Sequence, residues 1–197
     1  MTVSAPTYVQ VRRLFGGFVR AIYRIEVTGA EHLPAIGPVI VAGNHVSVLD
    51  PIVLGAALER DLCFLGKAEL WRFRPLAWIL DGVGAIRLER GRGDLEALAR
   101  ARSALELGKV VAIFPQGAVR GDRRWRRGAA RLALATGAPI VPVCLVGTAR
   151  ALSRGKIGLP RLRVVIGKPI PVAADYDDPD AATELTERLR LAVETLP

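Results

Sequence analysis

The sequence is short of the residues that carry most metal and redox chemistry, with only two cysteines and two histidines in 197 residues. Cys63 (Leu62-Cys63-Phe64) and Cys144 (Val143-Cys144-Leu145) lie in apolar surroundings. They read as small buried hydrophobes, which excludes a disulfide framework or a cysteine-based metal site. His32 sits in a loop among a glycine and prolines, and no metal-ligand spacing accompanies either histidine. There is no Walker loop, no G-x-G-x-x-G after a strand and no G-x-S-x-G nucleophile elbow, so the common signatures of nucleotide hydrolysis, dinucleotide binding and serine hydrolysis are missing. Long apolar runs are missing as well. The chain is 51% hydrophobic with a mean hydropathy of +0.29, yet no stretch approaches the ~18–20 uninterrupted apolar residues of a spanning helix. The longest candidate, Leu76 to Ile86, contains Asp81. No transmembrane span is expected. No signal peptide is expected either, because the apolar segment after Arg12 and Arg13 is short and interrupted.

Acidic residues are also few. Nineteen Asp and Glu face 28 Lys and Arg, a net charge of +9, and most of the excess is arginine. Such a balance favours anionic partners: nucleic acid, lipid headgroups or phosphorylated substrates. The expected location is the cytoplasm or the cytoplasmic face of a membrane.

What is present is the alternation of an α/β protein. Residues 8 to 24 place Val11, Phe15, Phe18, Val19 and Ile22 at helical spacing, with Arg12, Arg13, Arg20 and Arg24 between them. This is either an interfacial helix with arginines at the headgroups or an amphipathic helix packed on the domain. Strands are expected at 25–28, 38–42, 62–65, 86–88, 110–114, 140–146 and 162–166. Helices are expected at 51–58, 94–107, 127–136 and 180–196, with helical or irregular cover over 67–78. In the 94–107 helix, Leu95, Leu98 and Leu105 mark an inner face, Asp94 a start and Gly108 a stop. Strands separated by helices of about ten residues imply one domain built on an α/β sheet.

In such sheets ligands gather at strand exits. The strand ending at Gly43 delivers Asn44 and His45, the one ending at Leu88 delivers Arg87 and Arg90, and the one ending at Phe114 delivers Gln116 and Arg120. Parallel neighbours would bring a base and several arginines to one rim. His45 and Asp50 cannot meet easily on one continuous helix, since a five-residue offset separates side chains by about 140°. They can meet if Asp50 caps a helix opened by Pro51 and residues 45–49 form the preceding turn; Asp50 would then orient the imidazole of a general base. The alternatives are a structural histidine and a plain helix cap. The run from Arg120 to Arg127 is the densest charge in the chain: a nucleic-acid contact with Trp125 stacking on a base, a headgroup contact, or a solvated loop.

Several motifs together resemble the 1-acylglycerol-3-phosphate (lysophospholipid, glycerolipid) acyltransferase family. Asn44-His45-x4-Asp50 matches its N-H-x4-D signature. Gly84-Ala85-Ile86-Arg87-Leu88-Glu89-Arg90 is similar to its second block, Phe114-Pro115-Gln116-Gly117 to its F-P-E-G-T-R block, and Ala138 to Val143 to its apolar fourth block. Lys67 to Leu70 and Arg127 to Ala133 also resemble family segments. Order and spacing hold from about residue 30 to 170. The third block departs from the pattern: Gln116 stands for the usual glutamate, Ala118 for threonine and Val119 for arginine, with Arg120 one position later.

The resemblance implies a mixed, mostly parallel sheet flanked by helices, forming an acyltransferase domain over residues 25–197 behind a basic helix at 1–24. It implies transfer of a fatty acyl group from acyl-CoA or acyl carrier protein to a hydroxyl of a lysophospholipid or glycerol-phosphate-like acceptor. His45 would act as base and Asp50 as its orienter, with no acyl-enzyme, cofactor or metal. Asn44, Gly84, Arg87, Arg90, Gln116, Gly117 and Arg120 would contact substrate, Arg90 taking an acceptor phosphate. The expected partners are a lipid acceptor, a thioester donor and an anionic membrane surface, not nucleic acid, with a peripheral position on the cytoplasmic face. A non-catalytic anion-binding module and an acyl-thioester hydrolase are the alternatives.

Overall fold

The computed structural model describes residues 16–82, 84–88, 93–117, 119, 124–153, 156–172 and 180–197. The elements follow in chain order: α1 (Gly17–Tyr23), β1 (Glu26–Thr28), β2 (Val39–Gly43), α2 (Asp50–Ala57), β3 (Leu62–Lys67), α3 (Arg74–Gly82), β4 (Ile86–Leu88), α4 (Gly93–Glu106), β5 (Val110–Ile113), α5 (Gly128–Thr136), β6 (Ile140–Val146), α6 (Thr148–Ala151), β7 (Leu152–Ser153), β8 (Lys156–Ile157), β9 (Arg163–Ile166) and α7 (Ala181–Glu194). Short 3-10 turns cover Ala30–His32 and Ala68–Arg72.

Seven strands form one sheet in the order β1-β9-β6-β2-β5-β3-β4. Every pairing is parallel except β6 with β9. The mixed, mostly parallel sheet flanked by helices is therefore the observed architecture. β2 lies at its centre and is apolar throughout because both faces are covered. Ile40 and Ala42 face the layer of α4, α5 and α7, where Leu105, Leu132, Leu185 and Leu189 are buried. Val39 and Val41 face the opposite layer with Val53, Leu54 and Leu58.

The expected elements fall within a residue or two of their observed bounds, with a few instructive differences. The described part of the N-terminal helix begins at Gly17 and ends with Arg24 in the left-handed region, φ 45°; the segment from residue 8 to 15 lies outside the described residues. The inner face of α4 is made mostly of alanines, Ala97, Ala101 and Ala104, with Leu105. Small side chains let this helix lie close to the sheet, which leucine counting alone does not reveal. Leu98 packs only partly against that face, and the side chains of Leu95 and Asp94 lie outside the described residues. The β7–β8 hairpin and the single-turn α6 were not expected, since two-residue strands leave no alternation to read. Cys63 is buried, and its thiol, pushed up in pKa by burial, donates to the Gly84 carbonyl at 2.9 Å. Cys144 is only partly buried.

Two devices tie the sheet's ends. On the amino side, Arg60 donates to the carbonyls of Pro34 at 2.9 Å, Gly37 at 2.7 Å and Gly108 at 2.9 Å. On the carboxyl side, register aligns Ala42 with Ile113 and Gly43 with Val143, so the segments leaving β2 and β5 emerge side by side. On the other flank Gly43 permits the close approach of β6: a Cβ there would stand 2.5 Å from the Val143 carbonyl oxygen. Among the described residues no helix is long and apolar enough to cross a membrane.

Gly43→Ala should therefore force β2 from β6, costing about 2 kcal/mol by overpacking. Urea unfolding of the variant checks this, and an unchanged midpoint would contradict it.

Candidate active site

The site is built where β2 runs out. Asn44 turns its side-chain amide onto β6: its Nδ2 donates to the Leu145 carbonyl at 3.0 Å, and its Oδ1 accepts from the Leu145 N–H at 2.7 Å. A side chain thus replaces the main-chain ladder at this point, which leaves the backbone of residues 45–49 free to turn away from the sheet.

That turn winds around one carboxylate. Asp50 is fully buried, and its Oδ2 accepts from the Val46 N–H at 2.7 Å and the Ser47 N–H at 2.8 Å. The same oxygen lies 2.8 Å from His45 Nδ1. The Asp50 N–H donates to the Ser47 carbonyl at 3.1 Å, and Ser47 Oγ accepts from the Leu49 N–H at 3.2 Å. Asp50 is the first residue of α2, one place inside the expected cap position, which Leu49 takes without a side-chain cap. Its carboxylate points back to residues 45–47 instead of forward to the helix N–H groups, so it is not a plain helix cap. A negative charge at a helix start is favoured by the helix dipole, and Pro51 suits the first turn.

The carboxylate fixes the tautomer of the ring. Facing an acceptor, Nδ1 carries the proton and Nε2 is left with its lone pair. The His45 side chain is 16% exposed. Its ring stacks on Phe114 with centroids 4.5 Å apart and planes 22° from parallel. Its main-chain N–H donates to Gln116 Oε1 at 2.7 Å. The Phe114–Gly117 segment makes these contacts because it is itself a closed turn: the Gly117 N–H donates to the Phe114 carbonyl at 2.9 Å, and the Arg126 N–H to the Pro115 carbonyl at 3.0 Å. Gly117 has φ +66°, a conformation that suits glycine.

Several residues expected to touch substrate have other partners. Asn44 has both ends of its amide engaged by Leu145, as above. Gln116 is buried and holds the His45 backbone. Gly84 forms a left-handed turn, φ +67°, at the amino end of β4, where its carbonyl holds the Cys63 thiol. Arg87 is not brought to His45. β4 is the third strand out from β2, about 14 Å away at the usual strand spacing. Its guanidinium lies 4.9 Å over the Trp71 ring and 4.0 Å from Asp81, which also accepts from Trp71 Nε1 at 2.7 Å. The expected convergence of arginines therefore fails for Arg87, because β5 and β3 stand between. Arg90 and Arg120 lie outside the described residues. Trp125 packs against the core, so it is no free platform for stacking on a base. His32 is structural, its Nδ1 donating to the Ile166 carbonyl at 2.8 Å.

Phe114 and Ser47 are the functional-site contacts that sequence reasoning passed over. Phe114 lies inside a motif already singled out, but its stacking needs β2 and β5 to be neighbours, which no local pattern states.

This geometry coincides with a family match. The model described as Acyltransferase matches residues 24–146. The chain belongs to the acyltransferase family. It is 30% identical over 179 residues to a chloroplastic 1-acyl-sn-glycerol-3-phosphate acyltransferase of Brassica napus, covering 86% of this chain and 52% of that one. It is 32% identical over 130 residues to a 1-acyl-sn-glycerol-3-phosphate acyltransferase of Borreliella burgdorferi, covering 64% and 52%. The chain thus spans about half the length of these relatives. The fold of this acyltransferase-family chain is shared with the crystal structure of a 1-acyl-sn-glycerophosphate acyltransferase from Thermotoga maritima, at a TM-score of 0.75 and 21% identity over 95% of this chain and 78% of that one.

Asp50→Ala strips the acceptor from three donors and should destabilise the chain by about 3 kcal/mol, whereas Asp50→Asn keeps an oxygen for them and should cost about 1 kcal/mol. Denaturant unfolding of the two variants side by side checks the order; equal losses would mean that the turn does not depend on this acceptor.

Proposed function

We propose that the chain is an O-acyltransferase that moves a fatty acyl group from a thioester to a hydroxyl of a lysophospholipid or glycerol-phosphate-like acceptor. The single observation that carries this reading is the 2.8 Å pairing of His45 Nδ1 with buried Asp50 at the carboxyl rim of the sheet. The names of the relatives supply the acceptor class.

In the proposed step, His45 Nε2 takes the proton of the acceptor hydroxyl as its oxygen attacks the thioester carbonyl. The C–O bond forms and a tetrahedral intermediate carries the negative charge. Its collapse breaks the C–S bond, and the imidazolium returns its proton to the departing sulfur. The products are an ester and a free thiol carrier, and the base is restored. Asp50 holds the ring and favours the transient imidazolium; Phe114 and Gln116 limit its motion. No acyl-enzyme and no cofactor beyond the thioester donor is invoked. Arg90 is assigned the acceptor phosphate on the strength of the second-block match. The basic segment at 1–24, with Arg12, Arg13, Arg20 and Arg24, is assigned to an anionic membrane surface, placing residues 25–197 peripherally on the cytoplasmic face.

His45→Ala should lower kcat by about 10²–10⁴-fold, the usual worth of a general base, with the fold retained but loosened by about 1–3 kcal/mol, because Asp50 loses one of its three donors. Mass analysis of products from acyl-CoA and a panel of lysolipids and alcohols reads this; full activity in the variant would overturn the mechanism, and free fatty acid as the main product would make the chain a hydrolase. Arg90→Ala should raise KM more for phosphorylated acceptors than for neutral ones, and an equal rise would remove its phosphate role. Cosedimentation with phosphatidylglycerol vesicles should exceed that with phosphatidylcholine and fall with added salt; equal binding to both would reject the electrostatic attachment.

A further inference from the structure

The aromatic segment that follows β3 takes no part in the His45 turn. It runs through the 3-10 turn Ala68–Arg72 into α3. Trp71 is buried, and its Nε1 donates to Asp81 at 2.7 Å, which staples the turn to the end of the helix. Around this staple, large apolar side chains stand in solvent. Phe73 is 65% exposed, Leu70 43% and Trp78 41%.

Arginines frame them. Arg72 and Arg74 flank Phe73 in the chain and are both exposed. Leu70 and Phe73 are three apart across a 3-10 turn, and Arg74 and Trp78 are four apart on α3, so the members of each pair are neighbours on the surface. From Lys67 to Arg87 four basic side chains accompany two acidic ones, Glu69 and Asp81. Asp81 is engaged by Trp71 and lies 4.0 Å from Arg87. Apolar groups beside guanidinium heads on flexible stems match the anionic interface of a bilayer. There Leu and Phe enter the acyl boundary, Trp sits at headgroup level and Arg reaches the phosphates.

The register puts this segment level with the proposed base. Phe64 and Val41 both align with Ala112, so Lys67 stands level with Asn44, and Ala68 with His45. β3 is two strands from β2, about 10 Å at the usual spacing. Val48, on the His45 turn, is exposed at this rim too. Ile36 and Leu107 are exposed at the opposite, amino end of the sheet, but that end carries the exposed acids Glu59, Asp61 and Glu106, which an anionic surface repels. We propose that the segment Leu70 to Trp78 is a second lipid-docking surface, separate from the basic segment at 1–24, and that it holds the carboxyl rim against an anionic bilayer. Its purpose rests on the lipid-acceptor reading above: an acceptor whose acyl tail stays in the bilayer presents its hydroxyl to that rim.

The test is cosedimentation of the full chain with phosphatidylglycerol vesicles. Phe73→Ser with Trp78→Ser should weaken binding by about tenfold or more, the worth of two buried aromatic side chains. Arg72→Gln with Arg74→Gln should weaken it by about tenfold and flatten its salt dependence. Ile36→Ser with Leu107→Ser, at the amino end, should leave it unchanged. Melting curves verify that the variants fold, and brominated phosphatidylglycerol reads the contact without disturbing it. Tryptophan emission of the parent chain should be quenched, and Trp78→Phe should remove most of that quenching. Binding unchanged in either rim pair, or quenching that survives Trp78→Phe, overturns the proposal. So does an equal loss in the amino-end pair, or no vesicle binding at all, which would leave the face to a protein partner. Binding that depends on Arg12, Arg13 and Arg20 but not on Phe73 and Trp78 overturns this surface and keeps the basic-segment reading. Binding with the expected dependence in a chain that acylates no lysolipid keeps the surface and overturns the O-acyltransferase reading instead.

Discussion

A buried carboxylate is costly unless several donors converge on it, and the rim of this protein is arranged to meet that demand at Asp50. Two consecutive backbone N–H groups and one imidazole share its Oδ2. The chain from His45 to Leu49 can satisfy this only as a tight turn, so the carboxylate sets the turn, and the turn sets the direction of the imidazole. Loss of the acceptor would leave the donors at 45–47 without the partner that defines their path. The geometry of the proposed base and the local fold are then the same set of hydrogen bonds.

That turn is braced from both neighbouring strands. On the β6 side the Asn44 amide takes over from the ladder at Leu145. On the β5 side Phe114 covers the ring and Gln116 holds its backbone. Parallel pairing is what makes this possible, since β2 and β5 must end at one level and β6 must stand on the other flank. Gln116 holds that backbone with a neutral amide, and Asp50 is the carboxylate paired with the ring.

The two layers on either side of β2 divide the remaining work. One layer buries α2 and so anchors the helix that begins at Asp50. The other packs α5 and α7, and an open groove runs between the segment 124–127 and α7 beside Gln116. The proposed base therefore stands at a strand end held between two packed layers.

Much of this was legible in the residues. Apolar runs such as Val39–Ala42, the glycine stops at Gly108 and Gly137, and the Asp50-Pro51 start are local signals, because backbone preference and burial act over a few residues. The His45–Asp50 pairing was legible as a geometric condition: the two side chains meet only across a helix start. What the sequence could not decide was which strands are neighbours. Ladder order depends on contacts between residues far apart in the chain, and it is that order which separates Arg87 from His45 by two intervening strands. The same order gives Asn44 and Gln116, both expected at the substrate, their bonds to Leu145 and to the His45 backbone, and it brings Phe114 to the ring. Local chemistry named His45 and Asp50 as a candidate pair; the tertiary structure decided what holds them, because hydrogen bonds and stacking are made with whatever the sheet brings alongside.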